Sequence, residues 1–515
     1  MENIKKTEFV KKVTLLATGI TLVSKIPFAN FFLKKNKQAD TDIENQRQII
    51  FNDHAIIDLH CHPSLKMYLW NKKFWKKNHP KPGDNFFALQ DDIDQLNFGN
   101  IKGMIATHYL VEASAEREWD LLKKLFPLLR RLFPRLADKI EKESPENFDQ
   151  ILTMIKVLNE QIDEANRKQK NVELILAKNF SDFEQVIKEK SGKKIVIAHS
   201  IEGAHSLGRN FPISQKRINE LRKKDLRPYE KIHRMLGSTG KNDPKPYINN
   251  LLALKDKGVC LITLSHFFEN DLSFPVEGMA PNEKKKVGMK WMYVNNNDYN
   301  KPLTPIGEAV VKEMLRIGVI VDLTHSTPAV RTKVYNINKE IMEERNQHHK
   351  SVPYRPLTFT HVGARKIFRD HDTKNIYSGY NFYNLSDEDI LEICKCDGVI
   401  GVIPENFWLV GANTKVNPYR KNEDFKPSEF RYGIDYILDT MKYINSKSIK
   451  KDFSNVAIGT DFDGLADNPK DLYKAQQLAD LISAIINDPE IGLENIEKIT
   501  SLNALRLLKN GWGNC

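Results

Sequence analysis

The chemistry of this chain is concentrated where short apolar runs end in histidine or a carboxylate. The run Ile-Ile-Asp-Leu-His60-Cys-His62 closes on two imidazoles two residues apart. On a strand those side chains point to the same side, so both can converge on one cation. A second run leads into Ala198-His-Ser-Ile-Glu202-Gly203, where a carboxylate followed by glycine can approach a pair of metal ions and bridge them. Three further runs end in His266, His325 and His361. One such histidine is ordinarily a hydrogen-bonded core residue; three in succession at equivalent positions are not. The last run, Val-Ala-Ile-Gly-Thr-Asp461-Phe-Asp463-Gly464, puts two aspartates on one strand face, with Asp461 nearer the strand end. A buried carboxylate beside cations stays ionised, and it can take a proton from water and pass it on. Five ligands, His60, His62, Glu202, His325 and His361, suit a site for two divalent ions: zinc, with manganese or iron as alternatives. Two ions about 3.5–4 Å apart lower the pKa of a bridging water from about 16 toward roughly 7.

These residues need a scaffold that brings strand ends together. The candidate strands are 56–60, 101–108, 194–200, 259–265, 319–324, 357–361, 398–404 and 455–460, each rich in β-branched residues. Helical patterns lie between them at 305–316, 326–346, 427–445 and 471–487. Eight strand–helix alternations predict an α/β fold, a closed (β/α)8 TIM-like barrel whose strand ends line one catalytic face. Residues of about 115–185 read as amphipathic helices, including 119–132 and 148–168, inserted after the second strand. The hydrolase barrel is expected to occupy 50–515.

The 515 residues, 41% hydrophobic and 28% charged, allow a sizeable core. The net charge of +11 is spread thinly and is rich in lysine, without a basic stripe interleaved with aromatics, so no nucleic-acid partner is expected. Five cysteines at irregular spacing argue against a disulfide scaffold and against a zinc finger. At the N-terminus, Lys5, Lys6, Lys11 and Lys12 precede an apolar run from Val13 to Val23. This pattern marks residues 1–35 as an export signal or membrane anchor, against a cytoplasmic protein with an amphipathic N-terminal helix.

Taken in order, Asp58-Leu-His-Cys-His62, Ser200-Ile-Glu-Gly-Ala-His-Ser206, Leu261-Ile-Thr-Leu-Ser-His266, Val321-Asp-Leu-Thr-His325-Ser, Phe359-Thr-His361 and Ile458-Gly-Thr-Asp-Phe-Asp-Gly464 resemble the membrane dipeptidase (renal dipeptidase) family of the amidohydrolase superfamily. The resemblance implies that His60, His62 and Glu202 hold one metal, and that Glu202 bridges to a second held by His325 and His361. It implies Asp461 as the proton shuttle and His266 as the contact to the substrate carbonyl. The implied reaction is dipeptide hydrolysis by a metal-bridging hydroxide, and the family is often dimeric.

Two departures qualify what the resemblance implies. The family's first motif has His-x-Asp, whereas His62 stands here, which should make the bound water more acidic and the metal less tightly held. The family's Arg-Asn pair, whose arginine binds the dipeptide's terminal carboxylate, is matched by Tyr383-Asn384. Tyr383 offers one neutral hydrogen bond in place of a charged, bidentate one, and Arg365 or Arg369 are the nearby cations that could reach in instead. A related amidohydrolase acting on another amide, ester or lactone is therefore the second reading. A catalytically silent surface binding protein is the third, disfavoured by the retained Asp461.

Overall fold

The computed structural model describes residues 54–81, 88–110, 130–131, 146–169, 171–189, 193–208, 243–267, 270–276, 301–347, 355–367, 383–405, 433–464 and 468–513. All eight expected runs form strands within it. The strands are β1 (Ile56–Cys61), β2 (Ile101–Tyr109), β3 (Glu173–Leu176), β4 (Lys194–Glu202), β5 (Val259–Thr263), β6 (Ile320–Asp322), β7 (Thr358–Val362), β8 (Val399–Val402) and β9 (Val456–Ile458). Every strand pairing is parallel. Strand β1 pairs with both β2 and β9, successive neighbours run from β9 down to β4, and β4 pairs with β2 from Gly103↔Val196 to Tyr109↔Glu202. That last pairing closes an eight-stranded (β/α)8 barrel.

Strand β3 was not expected. It falls inside the segment read as helical and pairs only with the first four residues of β4. At four residues, Glu-Leu-Ile-Leu is too short for periodicity to separate strand from helix. The rest of the described insertion agrees with the sequence: a helix at Glu146–Lys168, followed by a second at Phe180–Lys188. Residues 1–35, most of 119–132, and Arg369 lie outside the described residues. Among the described residues no helix is long and apolar enough to cross a membrane.

Local sequence explains how the helices are held against the barrel. The helix Pro305–Ile317 starts at Thr304, whose side chain accepts from the Gly307 N–H, with Pro305 in the first turn. It ends at Gly318, which has φ 75° and whose missing Cβ would lie 1.8 Å from the Gly513 carbonyl oxygen. The next helix, Pro328–Gln347, is tied to the helix Asp387–Lys395 by a buried Arg331–Asp389 pair at 2.8 Å. Burial alone would push the Asp389 carboxyl up, but Arg331 and the Ser386 N–H outweigh it and hold it below the usual range.

Beneath the strand ends the barrel interior is polar. Asp58, Thr107, Ser200, Thr263, Asp322, Thr360 and Thr460 are all buried there and hydrogen-bonded to one another. Asp58 accepts from the hydroxyl and N–H of Thr460 and from the His60 N–H, yet burial still pushes its carboxyl up to about 6. Two glycines make room for this layer: a Cβ on Gly401 or Gly459 would come within 2.0 or 1.8 Å of the Thr360 carbonyl oxygen.

Candidate metal centre

Seven of the eight chemistry-bearing residues named from sequence converge directly above the polar layer. Glu202, at the end of β4, is the centre. Its Oε1 lies 3.5 Å from His60 Nε2, 3.3 Å from His325 Nε2 and 3.4 Å from His361 Nε2. Its Oε2 lies 3.4 Å from His62 Nε2 and 3.7 Å from His266 Nε2. The histidines also face one another in pairs. His60 Nε2 is 2.9 Å from His62 Nε2, and His325 Nε2 is 3.2 Å from His361 Nε2. Asp461 Oδ1 lies 3.1 Å from His62 Nε2 and 4.0 Å from His60 Nε2, on the first pair's side.

The arrangement fits divalent ions on its own evidence. Glu202 Oε1 is buried beside three imidazole nitrogens, yet it makes no hydrogen bond of acceptable geometry. Donor atoms that crowd together without bonding are aimed at a shared centre. A His60–His62–Glu202 group and a Glu202–His266–His325 group each have ligand atoms close enough to hold an ion. Electrostatics agree: burial alone would raise the Glu202 carboxyl, but His266, His60 and His325 outweigh it and hold it well below the usual range. Burial keeps His325 and His361 below their ordinary value, whereas at His60 the Glu202 and Asp461 carboxylates outweigh burial and raise it.

Exposure separates the residues by role. His60, His62, His325 and His361 are 0–2% exposed, whereas His266 is 7% and Asp461 8%. The His266 ring also packs between Tyr109 and Phe267, at centroid distances of 4.2 and 3.9 Å, on the rim. His266 and Asp461 are thus the least buried members of the set.

Backbone strain sits at the same place. His325 and Asp461 adopt φ values of 64° and 52°, left-handed geometry uncommon outside glycine. The left-handed turn also separates Asp461 from Asp463 (φ 64°), which the alternation had put on one face. Asp463 turns away, takes the Lys66 ammonium and the Gln90 N–H, and pins the loop that carries Asp461. Only the folded turn reveals this clamp, because nothing in the spacing links Lys66 to Asp463.

Tyr383, the eighth residue, is placed differently from the other seven. It is wholly buried, and its hydroxyl donates to the His361 carbonyl oxygen at 2.7 Å. Its one hydrogen is committed to holding a ligand-bearing strand, and it presents no surface to a substrate carboxylate. Tyr383→Phe is therefore expected to leave KM unchanged and to cost about 1 kcal/mol of stability by thermal unfolding. A tenfold rise in KM would return the hydroxyl to the substrate. Arg365, for its part, donates from Nε to the Asn384 carbonyl oxygen at 3.1 Å, and burial pushes its guanidinium down to about 10.

A parallel barrel carrying a histidine–carboxylate centre at its strand ends defines a hydrolase of the metallopeptidase class. Residues 213–511 match the model of the membrane dipeptidase family, peptidase family M19, and the chain belongs to that family. The family implies divalent metal ions, in keeping with the donor set. Among curated relatives, the chain is 24% identical over 216 residues to an uncharacterized dipeptidase of Schizosaccharomyces pombe, covering 42% of each chain. It is 24% identical over 281 residues to dipeptidase aclJ of Aspergillus oryzae, covering 54% of this chain and 51% of that one. The matches therefore span about half or less of these relatives. Over the whole barrel the fold resembles a metallopeptidase from Rhodobacter sphaeroides liganded with a phosphinate mimic of L-Ala-D-Ala, with TM-score 0.54, 13% identity, and coverage of 89% of this chain and 99% of that one. It also resembles the probable dipeptidase PvdM from Pseudomonas aeruginosa, with TM-score 0.55, 14% identity, and coverage of 91% and 98%.

Proposed function

We propose that the protein is a dinuclear metallodipeptidase, with zinc as the first candidate metal. The observation that carries this reading is the buried carboxylate of Glu202, set between two facing histidine pairs. His60, His62 and Glu202 would hold one ion, and Glu202, His325 and His361 the other. When bound, the ions supply Lewis acidity and a water acidic enough to serve as nucleophile near neutral pH. The chain's own residues do the rest. Asp461, on the His62 side, accepts the proton from the attacking water and delivers it to the leaving amine. His266 Nε2 donates a hydrogen bond to the carbonyl oxygen as it gains charge, a contribution of about 3 kcal/mol in comparable sites. Glu202 and the buried hydroxyl layer keep the ligands fixed through the cycle. Residues 1–35 are taken as an export signal or anchor on sequence grounds alone.

A related amidohydrolase acting on another amide, ester or lactone is the second reading, and the position of Tyr383 favours it. With that hydroxyl committed to His361, the family's carboxylate-binding arginine has no counterpart at this position. The test is hydrolysis of L,L-, L,D- and glycine-containing dipeptides by the metal-loaded protein, beside the same peptides amidated at the C-terminus. Turnover of free dipeptides with loss on amidation establishes a dipeptidase that recognises the carboxylate by another group. Equal turnover of both sets supports the second reading, and turnover of neither by metal-loaded protein refutes the dipeptidase assignment.

A further inference from the structure

One hydroxyl lies behind both halves of the metal centre. Thr360 Oγ1 is 2.7 Å from Asp322 Oδ2, 3.0 Å from His60 Nδ1 and 2.9 Å from His361 Nδ1. The same Asp322 carboxylate accepts from the hydroxyls of Thr263 and Thr324 and from the N–H groups of Thr324 and Thr360. It is ringed by donors, so the Thr360 hydroxyl, which has one hydrogen to give, gives it to Asp322. Toward the two imidazoles its oxygen can then only accept, and it has two lone pairs for two neighbours. Both rings then carry their hydrogen on Nδ1, shared at His60 with the more distant Thr107 oxygen at 3.4 Å, which leaves the lone pair on Nε2, facing Glu202.

We propose that Thr360, held by Asp322, is a positioning residue that locks one ligand of each ion, His60 and His361, into the tautomer that can bind metal. The inference rests on the metal-pair reading above, though not on the identity of the substrate. His60, Asp322 and His361 could also be grouped as ligands of an ion behind the rings. The Thr360 oxygen already stands within hydrogen-bond distance of all three, which makes that spot the hinge of the ligand set.

The test measures zinc affinity of the full chain by competition with a chromophoric chelator, together with thermal unfolding of the metal-free protein. Thr360→Val keeps the shape and removes the hydroxyl; it is expected to weaken both ions by about 10–100-fold. Thr360→Ser restores the hydroxyl and is expected to bind zinc as the parent does. Asp322→Asn serves as the second variant should the valine protein fail to fold. Its amide donates to the Thr360 oxygen, turns the hydroxyl hydrogen toward one imidazole, and is expected to weaken binding in the same direction. Parental zinc affinity in Thr360→Val, with only a lower melting temperature, would overturn the proposal in favour of plain packing. Weakening confined to one ion would overturn the shared lock. A parent chain that binds no divalent ion would refute the metal-pair reading and this inference with it. A parent that binds zinc but cleaves no dipeptide would refute the dipeptidase assignment alone.

Discussion

Asp461→Asn is expected to lower kcat for dipeptide hydrolysis by about 100- to 10,000-fold, with KM and metal content close to those of the parent. The amide preserves the size of the side chain and can still accept a hydrogen bond, but it cannot take up a proton at neutral pH. The backbone should tolerate the change, because asparagine is among the few residues at ease in the left-handed region that Asp461 occupies at φ 52°. The loop is also held independently, by the Asp461 N–H to the His60 carbonyl oxygen at 2.8 Å and by the Asp463–Lys66–Gln90 clamp. A fall in kcat at full metal occupancy is thus the signature of a lost proton carrier. Loss of metal in the same variant would instead identify Asp461 as a ligand, an outcome its 3.1 Å approach to His62 Nε2 makes worth measuring. Unchanged turnover would sink the proposed mechanism.

Glu202→Gln should have the other large effect, and by a different route. Glu202 faces both histidine pairs from their Nε2 side, so its charge is shared by whatever binds there. The glutamine amide removes that charge and directs two hydrogens at imidazole nitrogens that must keep their lone pairs. Several kcal/mol of stabilisation are lost, and activity should fall at least about a thousandfold. Unlike the Asp461 variant, this protein should emerge from dialysis depleted of both ions, which elemental analysis would read directly. Two ions retained at parental affinity would show that Glu202 does not bridge. The two substitutions therefore separate holding the metal from moving the proton.

Much of this was legible in the linear chain because a closed parallel barrel turns strand order into geometry. All eight barrel strands and the cluster of His60, His62, Glu202, His325 and His361 could be read from apolar runs ending in polar residues. In such a fold every strand end arrives at the same face, wherever it lies in sequence. Family membership followed from the same motifs.

Other features depended on contacts that no local pattern encodes. Strand β3 exists because Lys194–Ile197 of β4 offers its short run a paired edge, which four residues cannot announce by periodicity. Asp461 and Asp463 part company through two left-handed residues, a departure from strand alternation that their i, i+2 spacing conceals. Tyr383 matched the family's arginine by position, yet its direction was set by packing, which turned the hydroxyl onto the His361 carbonyl. Asp322 and Thr360 read as ordinary strand residues in sequence. Only the curvature of the barrel brings Thr360 within 3.0 Å of His60, 300 residues away. The sequence by itself determined which side chains reach the catalytic face, because strand periodicity and barrel closure are properties of local pattern. Where each hydrogen on that face points was decided by tertiary structure, because a hydroxyl or an imidazole takes its orientation from neighbours that folding alone supplies.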